Sequence, residues 1–543
     1  VIQRAREKRL LAGLVALLAP LPLPFAGIVQ WPVVLLYWLA CAFFLRRAHR
    51  GAEGWLPDWA MNLLAIAYLP VLFVDLGLFW RGRLLQPLVH LAMFTLVVKL
   101  FALKREGDKW HALLGAFFLY LAAMGSSVHP SVVAYQLVML AVWYFALICM
   151  AGWHEAARAP ALTRLRVPLA GFITAATLAT VVAAVPLFVL LPRLRQPYVG
   201  VSALRTGGSE VAGFSDEVGL DTIGRVQSSS AVVFRFALDP GPVIPEFRFK
   251  GGTYDLFRNA VWRRSHHDVT LLRRGNEGWF RIAEGRPRAW MDIWLSRLAS
   301  SRLALPGETI VLDVPTQALS LDDAGLVSLL AESVGTLGIR AGLAREPVRQ
   351  RAAAPGPLAS ELDTAAVTER MAALAADVMG EGEPVDRARR LERYLRSNYE
   401  YSLDLGNQPT QTPVDRFLFD TRSGHCEYFA SSMTLLLRSQ GIPARFVTGY
   451  YGADFNPIEG YFIVRLSNAH AWVEAWLPES GWTTFDPTPA AALAEARSNS
   501  WLAWWSQAAD YLIFRWDRYV LTYGFSDQAD FFFRFRDLLS RFW

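Results

Sequence analysis

Seven long apolar stretches in the first 191 residues constrain this chain more than any other feature. They cover residues 10–27, 29–45, 60–79, 84–103, 111–124, 131–153 and 167–191, and each approaches the roughly twenty residues that carry a helix across a bilayer. Pro20, Pro22 and Pro24 interrupt the first stretch and the fifth is short, so these two are the weakest spans. Charge sets the direction. On one side lie Arg4, Arg6, Lys8 and Arg9, then Arg46, Arg47 and Arg50, then Lys104, Arg105 and Lys109, then Arg158, Arg164 and Arg166. The other side has only Arg81 and Arg83 before the last helix exits. The positive-inside rule places the N-terminus in the cytoplasm, and an odd number of spans places everything after Arg193 outside. A cleavable signal peptide is not expected, because six further apolar stretches follow the first.

The whole-chain averages pool two unlike halves. With 53% hydrophobic and 19% charged residues, the 543-residue chain is too apolar for one soluble protein, which carries roughly a quarter charged residues. From Arg193 onward the composition is that of a soluble portion large enough to bury its own cores. Ample apolar mass and only three cysteines exclude disordered and disulfide-scaffold classes. The net charge of +6 comes largely from cytoplasmic loops and says little about substrates. Asp75, His90 and Lys99 fall inside spans and are functional candidates on that ground. Lys99 can snorkel to the interface, and so few intramembrane charges point to anchoring rather than a proton relay. Near the C-terminus, residues 501–543 mix Trp504, Trp505, Phe531, Phe532 and Trp543 with arginines. In an exported segment this reads as helices packed on the domain or lying at the membrane surface, and no nucleic-acid partner is expected.

The exported half opens with residues 200–229, rich in Gly and Ser, which read as a connector with little regular structure. Across 231–335, β-prone runs such as AVVFRFAL and TIVLDV alternate with turn residues and predict an antiparallel sheet or sandwich. The neighbours His266 and His267 would point to opposite faces of a strand, so they make a poor metal chelate. A linker over 345–360 precedes two helical patterns, 364–379, broken by GEGEP, and 385–398, which follows Pro384.

Cys41 and Cys149 fall in membrane spans, which leaves Cys426 as the one exported cysteine. A lone exported thiol is either an oxidation liability or a working nucleophile. After Cys426 the apolar Phe429, Met433, Leu436 and Leu437 recur at helical spacing until Gly441 and Pro443. Cys426 thus begins a buried helix, where unpaired N–H groups and the helix dipole favour thiolate. Gly424 lets the backbone come close to a ligand. The run YFIVRLSNAHAWVEAWL predicts a strand with His470, Trp472, Glu474 and Trp476 on one face. His470 is a candidate base for Cys426, and Asp486, closing GWTTFDPTP, could orient the imidazole. A core histidine, a core cysteine and a turn-starting aspartate remain the plainer readings. His425 is a rival base, but as the immediate neighbour of Cys426 it should project elsewhere.

The segments GHCEYFA, GIPARFVTGY, AHAWVEAW and FDPTP, in this order over about 70 residues, resemble the core of the transglutaminase-like superfamily. The resemblance implies that Cys426, His470 and Asp486 form its Cys–His–Asp triad, spaced 44 and 16 residues apart. Several N-terminal spans before an exported domain, with VDRFLF and YDLFRNAVW, further resemble bacterial membrane-anchored transglutaminases of the TgpA type. The resemblance implies an α+β papain-like core, with the nucleophile at a helix N-terminus packed on an antiparallel sheet. Four parts are expected: a membrane domain over 1–192; a connector and β-rich domain over 193–345; a catalytic domain over 346–490; and aromatic-rich helices over 491–543. Such a group usually carries another membrane helix after the catalytic domain; this chain ends at Trp543 and begins at Val1 rather than Met, so both ends are expected to be trimmed.

The implied reaction joins a glutamine side chain to a primary amine through a Cys426 thioester, at the outer face of a bacterial cytoplasmic membrane. Glu427, Trp472 and Trp476 are candidates for lining the substrate pocket, where the tryptophans would shield the thioester from water. No cofactor or metal is expected, and no acidic D-x-D-x-D-G loop for calcium is present. A cysteine peptidase or amidase using the same triad, or a non-catalytic envelope scaffold, are the alternatives.

Overall fold

A computed structural model of the chain describes residues 2–26, 28–51, 56–79, 85–127, 129–158, 169–190, 214–239, 247–265, 268–275, 277–296, 301–330, 337–346, 348, 356–403, 412–489, 502–516, 536 and 540. The chain divides into two compact units: residues 1–207 with 512–543, and residues 208–511.

The first unit contains the helices Ile2–Leu18, Trp31–His49, Asp58–Phe79, Leu85–Phe101, Glu106–Ser126, Ser131–Arg158 and Leu169–Leu190, one for each expected stretch. Four contain windows long and apolar enough to cross a membrane: Trp31–His49, Trp59–Gly77, Ser131–Ala151 and Leu169–Phe188. Leu85–Phe101 is apolar but shorter. Ile2–Leu18 and Glu106–Ser126 carry charged residues in their first turns, which shortens their apolar lengths. Leu36, Leu39, Ile66 and Phe73 lie largely uncovered on the outer surface, an arrangement suited to lipid rather than water.

Proline explains how the first helix ends. Pro20 has no N–H to offer the Ala16 carbonyl four residues earlier, and the Tyr37 hydroxyl donates to that oxygen instead, at 2.7 Å. The Tyr135 hydroxyl donates to Ala19 O at 2.7 Å. Of the intramembrane ionisable residues, His90 Nδ1 pairs with Asp75 Oδ2 at 2.7 Å.

In the second unit, the strand Ala444–Tyr451 forms the middle of a five-stranded antiparallel sheet. Its order is Leu305–Pro306, Arg248–Tyr254, Ala444–Tyr451, Ala469–Leu477, Gly481–Phe485. A seven-stranded sheet runs Asp454–Asn456, Tyr461–Arg465, Val232–Asp239, Ala289–Leu295, Leu337–Leu343, Thr309–Asp313, Phe280–Arg281. Both sheets combine strands from 231–345 with strands from 444–485. The boundary expected at residue 345 therefore does not separate two sheets, and the β-rich region is not a sandwich of its own. Pairing partners such as Phe234 and Val464 lie far apart in sequence, beyond the reach of local pattern.

The helix Cys426–Ser439 packs its apolar residues on the five-stranded sheet. Trp262 stacks on Phe446 with ring centroids 5.0 Å apart, and its Nε1 donates to Ser431 Oγ of that helix at 2.8 Å. The helix Glu369–Met379 starts later than the 364 expected, because the Thr368 hydroxyl accepts from Met371 N and caps it there. Pro384–Asn398 follows, with Pro384 in its first turn.

Residues 214–229 depart from the expected connector. They contain the strand Glu217–Gly219 and the short helix Thr222–Gln227. Near the other end of the unit, Asp510 of the helix Leu502–Trp516 accepts a bidentate pair from buried Arg235, at 2.5 and 3.1 Å, and a hydrogen bond from Tyr461. Asp510 and Gln507, whose carbonyl accepts from Asn456 Nδ2 at 3.2 Å, thus tie this stretch to the domain, whereas 491–501 and most of 517–543 lie outside the described residues, as do His266 and His267.

Candidate active site

Cys426 is the first residue of its helix, after His425 in extended backbone. The helix ends at Gly441, whose φ of +73° favours glycine. Gly424 is required by space: a β-carbon there would lie 2.9 Å from the Phe417 ring. His470 is the second residue of the strand Ala469–Leu477 and faces Gly449 across the sheet. A β-carbon at Gly449 would fall 2.0 Å from Phe249 O and 2.7 Å from the Trp472 ring, so close packing fixes this glycine as well.

Asp486 follows the strand Gly481–Phe485 and accepts from His470 Nε2 at 2.9 Å. Its other oxygen accepts from Thr488 N at 3.1 Å, and Arg248 donates to the shared oxygen at 3.3 Å. The backbone is also held: Asp486 N donates to Glu392 Oε1 at 2.8 Å and Arg396 Nε donates to Asp486 O at 2.7 Å. Burial raises the proton affinity of this carboxyl, but the His470 ring, Arg248 and the Thr488 N–H together hold it well below the ordinary carboxylate range. An ionised Asp486 fixes the Nε2–H tautomer and leaves Nδ1 of His470 as the basic nitrogen.

The sulfur of Cys426 is fully buried, and the backbone N–H groups of Ala471, the residue after His470, and of Glu427 favour its charged form. Sequence reasoning expected a thiolate here. Burial, joined by the neighbouring carboxyl groups of Glu427 and Asp486, pushes the thiol above its ordinary value despite the two N–H groups. That direction leaves the nucleophilic form of Cys426 dependent on a base.

The remaining candidates fall in different places. Trp472 is buried beside His470, with ring centroids 6.3 Å apart. Trp476 packs on Trp482 at 5.5 Å, six residues along the strand from His470, or roughly 20 Å at about 3.3 Å per residue. It cannot shield a group on Cys426. Glu427 lines no open pocket: it is fully buried and accepts Asp221 N at 2.9 Å and Ile223 N at 3.0 Å. Glu474 bridges Lys250 at 2.8 Å and Arg445 at 2.6 Å. Burial alone would raise it, but these two cations hold it at about 2, so it braces the sheet as a carboxylate. His425 turns away from the triad, its Nε2 on Asp221 Oδ1 at 3.0 Å.

Sequence reasoning missed Gln227. Its Nε2 donates to Ala469 O at 2.7 Å and stands 4.0 Å from Cys426 Sγ, while Tyr401 donates to its Oε1 at 3.1 Å. The run DTIGRVQ carries a faint helical signal, but the Gly and Ser around it masked that signal.

A family model described as the TgpA N-terminal domain matches residues 11–327, and one described as the transglutaminase-like superfamily matches residues 372–487. A Pseudomonas aeruginosa protein named protein-glutamine gamma-glutamyltransferase is 38% identical over 169 residues, covering 26% of this chain and 25% of that protein. The uncharacterized protein YebA of Bacillus subtilis is 43% identical over 110 residues, covering 19% of this chain and 15% of that protein. The matches thus span a quarter or less of these two relatives. The crystal structure of the periplasmic domain of TgpA from Pseudomonas aeruginosa aligns over 51% of this chain and 93% of that one, at 24% identity and a TM-score of 0.44.

Proposed function

Because this chain belongs to the family of the TgpA N-terminal domain and carries a transglutaminase-like core, we propose that it is a membrane-anchored acyltransferase working through a Cys426 thioester. The observation that carries this reading is the pairing of His470 Nε2 with Asp486 at 2.9 Å, with Gln227 Nε2 standing between Ala469 O, next to His470, and the Cys426 sulfur.

Nδ1 of His470 takes the Cys426 proton as sulfur attacks the carboxamide carbon of a glutamine side chain. The imidazolium returns that proton to the departing nitrogen, the C–N bond breaks, and ammonia leaves a thioester. A primary amine such as a lysine side chain then attacks the thioester carbon. His470 accepts the amine proton and returns it to the departing sulfur, leaving an amide bond and a free Cys426. Asp486 stays ionised throughout and stabilises the imidazolium. Trp472, buried beside His470, forms part of the apolar wall around these charges. The loop charges support a cytoplasmic N-terminus, with this chemistry at the outer face of the bacterial inner membrane, on glutamine donors and amine acceptors of the cell envelope.

The test uses the full chain in detergent with a glutamine-bearing peptide and a labelled primary amine, with ammonia followed in parallel. The expected result is label incorporation that disappears in Cys426→Ala. Ammonia without incorporation would convert the reading to a hydrolase, and silence in both, with Cys426 still open to alkylation, would favour a scaffold.

A further inference from the structure

An acyl transfer through Cys426 develops negative charge on the carbonyl oxygen of the tetrahedral intermediate, and that oxygen needs hydrogen-bond donors already in place. The backbone N–H of Cys426, at the start of its helix, is one candidate donor. We propose that the side-chain amide of Gln227 is the second, an inference that rests on the acyl-transfer reading.

Three features of the structure carry it. The first is the orientation of the amide. The carbonyl of Ala469 can only accept, so the Gln227 atom 2.7 Å from it must be Nε2, and the Tyr401 hydroxyl on the other side donates to Oε1. Both ends of the amide are therefore assigned by their partners. The second is spare capacity. Nε2 has two hydrogens and Ala469 O uses one; the other is left for Cys426, whose sulfur stands 4.0 Å from Nε2. A carbonyl carbon bonded to that sulfur would hold its oxygen within reach of such a donor.

The third feature is rigidity. The helix Thr222–Gln227 is docked on the first turn of the Cys426 helix rather than tethered by its own short length. Glu427 accepts the N–H groups of Asp221 and Ile223, and the Asp221 carboxylate meets His425 Nε2 and the Tyr428 hydroxyl, each at 3.0 Å. Gly224 allows the close approach, since a β-carbon there would stand 3.0 Å from His425 Nε2. The same few residues that surround the nucleophile in sequence thus anchor a segment roughly 200 positions earlier and fix the amide beside it. Such a donor needs no reorganisation when the charge appears.

The test compares wild type, Gln227→Ala and Gln227→Leu, as full chains in detergent, in two reactions. One is ammonia release from a glutamine peptide. The other is alkylation of Cys426 by iodoacetamide, a displacement at a saturated carbon that places no oxyanion in the site. Both variants should lose about 10²–10³-fold in kcat for ammonia release, with KM little changed. Alkylation should stay within about twofold of wild type. Ammonia release within about threefold of an active wild type would overturn the assignment alone. Alkylation falling in step with ammonia release would also overturn it, by showing that Gln227 merely holds the site together. A wild type that alkylates but releases no ammonia would overturn the acyl-transfer reading, and this donor with it.

Discussion

Glu427 shows how one side chain beside a nucleophile can be structural rather than chemical. It is fully buried, and both its oxygens are spent on the N–H groups of Asp221 and Ile223. Burial lifts its pKa to about 7, with the His425 ring and the two N–H groups pulling the other way. In the unfolded chain the value is about 4.3. Between those values the folded protein holds the proton more tightly than the unfolded chain does. Its contribution to stability is therefore complete below pH ~4.3 and is lost as pH rises through ~7. Gln at this position has no proton to lose. The melting temperature of the full chain in detergent should therefore fall relative to that of Glu427→Gln between pH 4.5 and 8, by the equivalent of about 3 kcal/mol at most. A difference between the two that does not change with pH would refute the buried, proton-holding Glu427. At this scale the sequence was legible where chemistry is compact: Cys426, His470 and Asp486 each sit in a short motif whose residue types announce a task. Gln227 was not legible, because nothing near it in sequence marks an amide that finds its sulfur 199 positions away.

At the scale of elements, legibility followed locality. The helix Cys426–Ser439 could be read because its apolar spacing and its Gly441–Pro443 ending lie within one stretch of chain. The strand Ala469–Leu477 could be read from β-rich residues, but its nearly continuous burial, with both faces covered, could not. The helix Thr222–Gln227 has its cause in Glu427, not in its own residues, so a composition rich in Gly and Ser suggested a connector. The central sheet also carries a constraint that sequence alone does not reveal. Gly449 stands directly opposite His470, and the backbone of Arg248–Tyr254 leaves no room for a β-carbon there. Gly449→Ala must push the strand carrying Phe249 away or displace Trp472, and either movement disturbs His470. A loss of about 3 kcal/mol in stability is expected, together with a larger proportional loss of ammonia release than the population of unfolded chain explains. Thermal melting and single-turnover kinetics on the same preparation measure both. An active, unshifted Gly449→Ala would mean that the sheet gives way more easily than its packing implies.

At the scale of the molecule, the expected four-part division becomes two compact units, because strands from either side of residue 345 share sheets. Sequence pattern finds elements and the switch from apolar to mixed composition near Pro192, but not which distant strands pair. The helix count is legible and the span count less so, since helices such as Glu106–Ser126 are apolar over only part of their length. Direction is where the whole molecule bears on chemistry: the proposed thioester would serve the proposed envelope substrates only if the unit built from 208–511 lies outside the membrane. Two positions make this measurable. Ala376 is exposed on the helix Glu369–Met379, and Gly107 is exposed with open space beside it, between the basic Arg105 and Lys109. In spheroplasts, Ala376→Cys should react with a membrane-impermeant maleimide without further treatment. Gly107→Cys should react only after the membrane is permeabilised, each measured against the unsubstituted chain. The positive-inside rule demands this pattern, because the basic loops resist translocation whatever the fold of the following unit. The opposite pattern would place Cys426 in the cytoplasm, where its amine acceptors and its redox environment would both be different, and the envelope substrates proposed for it would be out of reach.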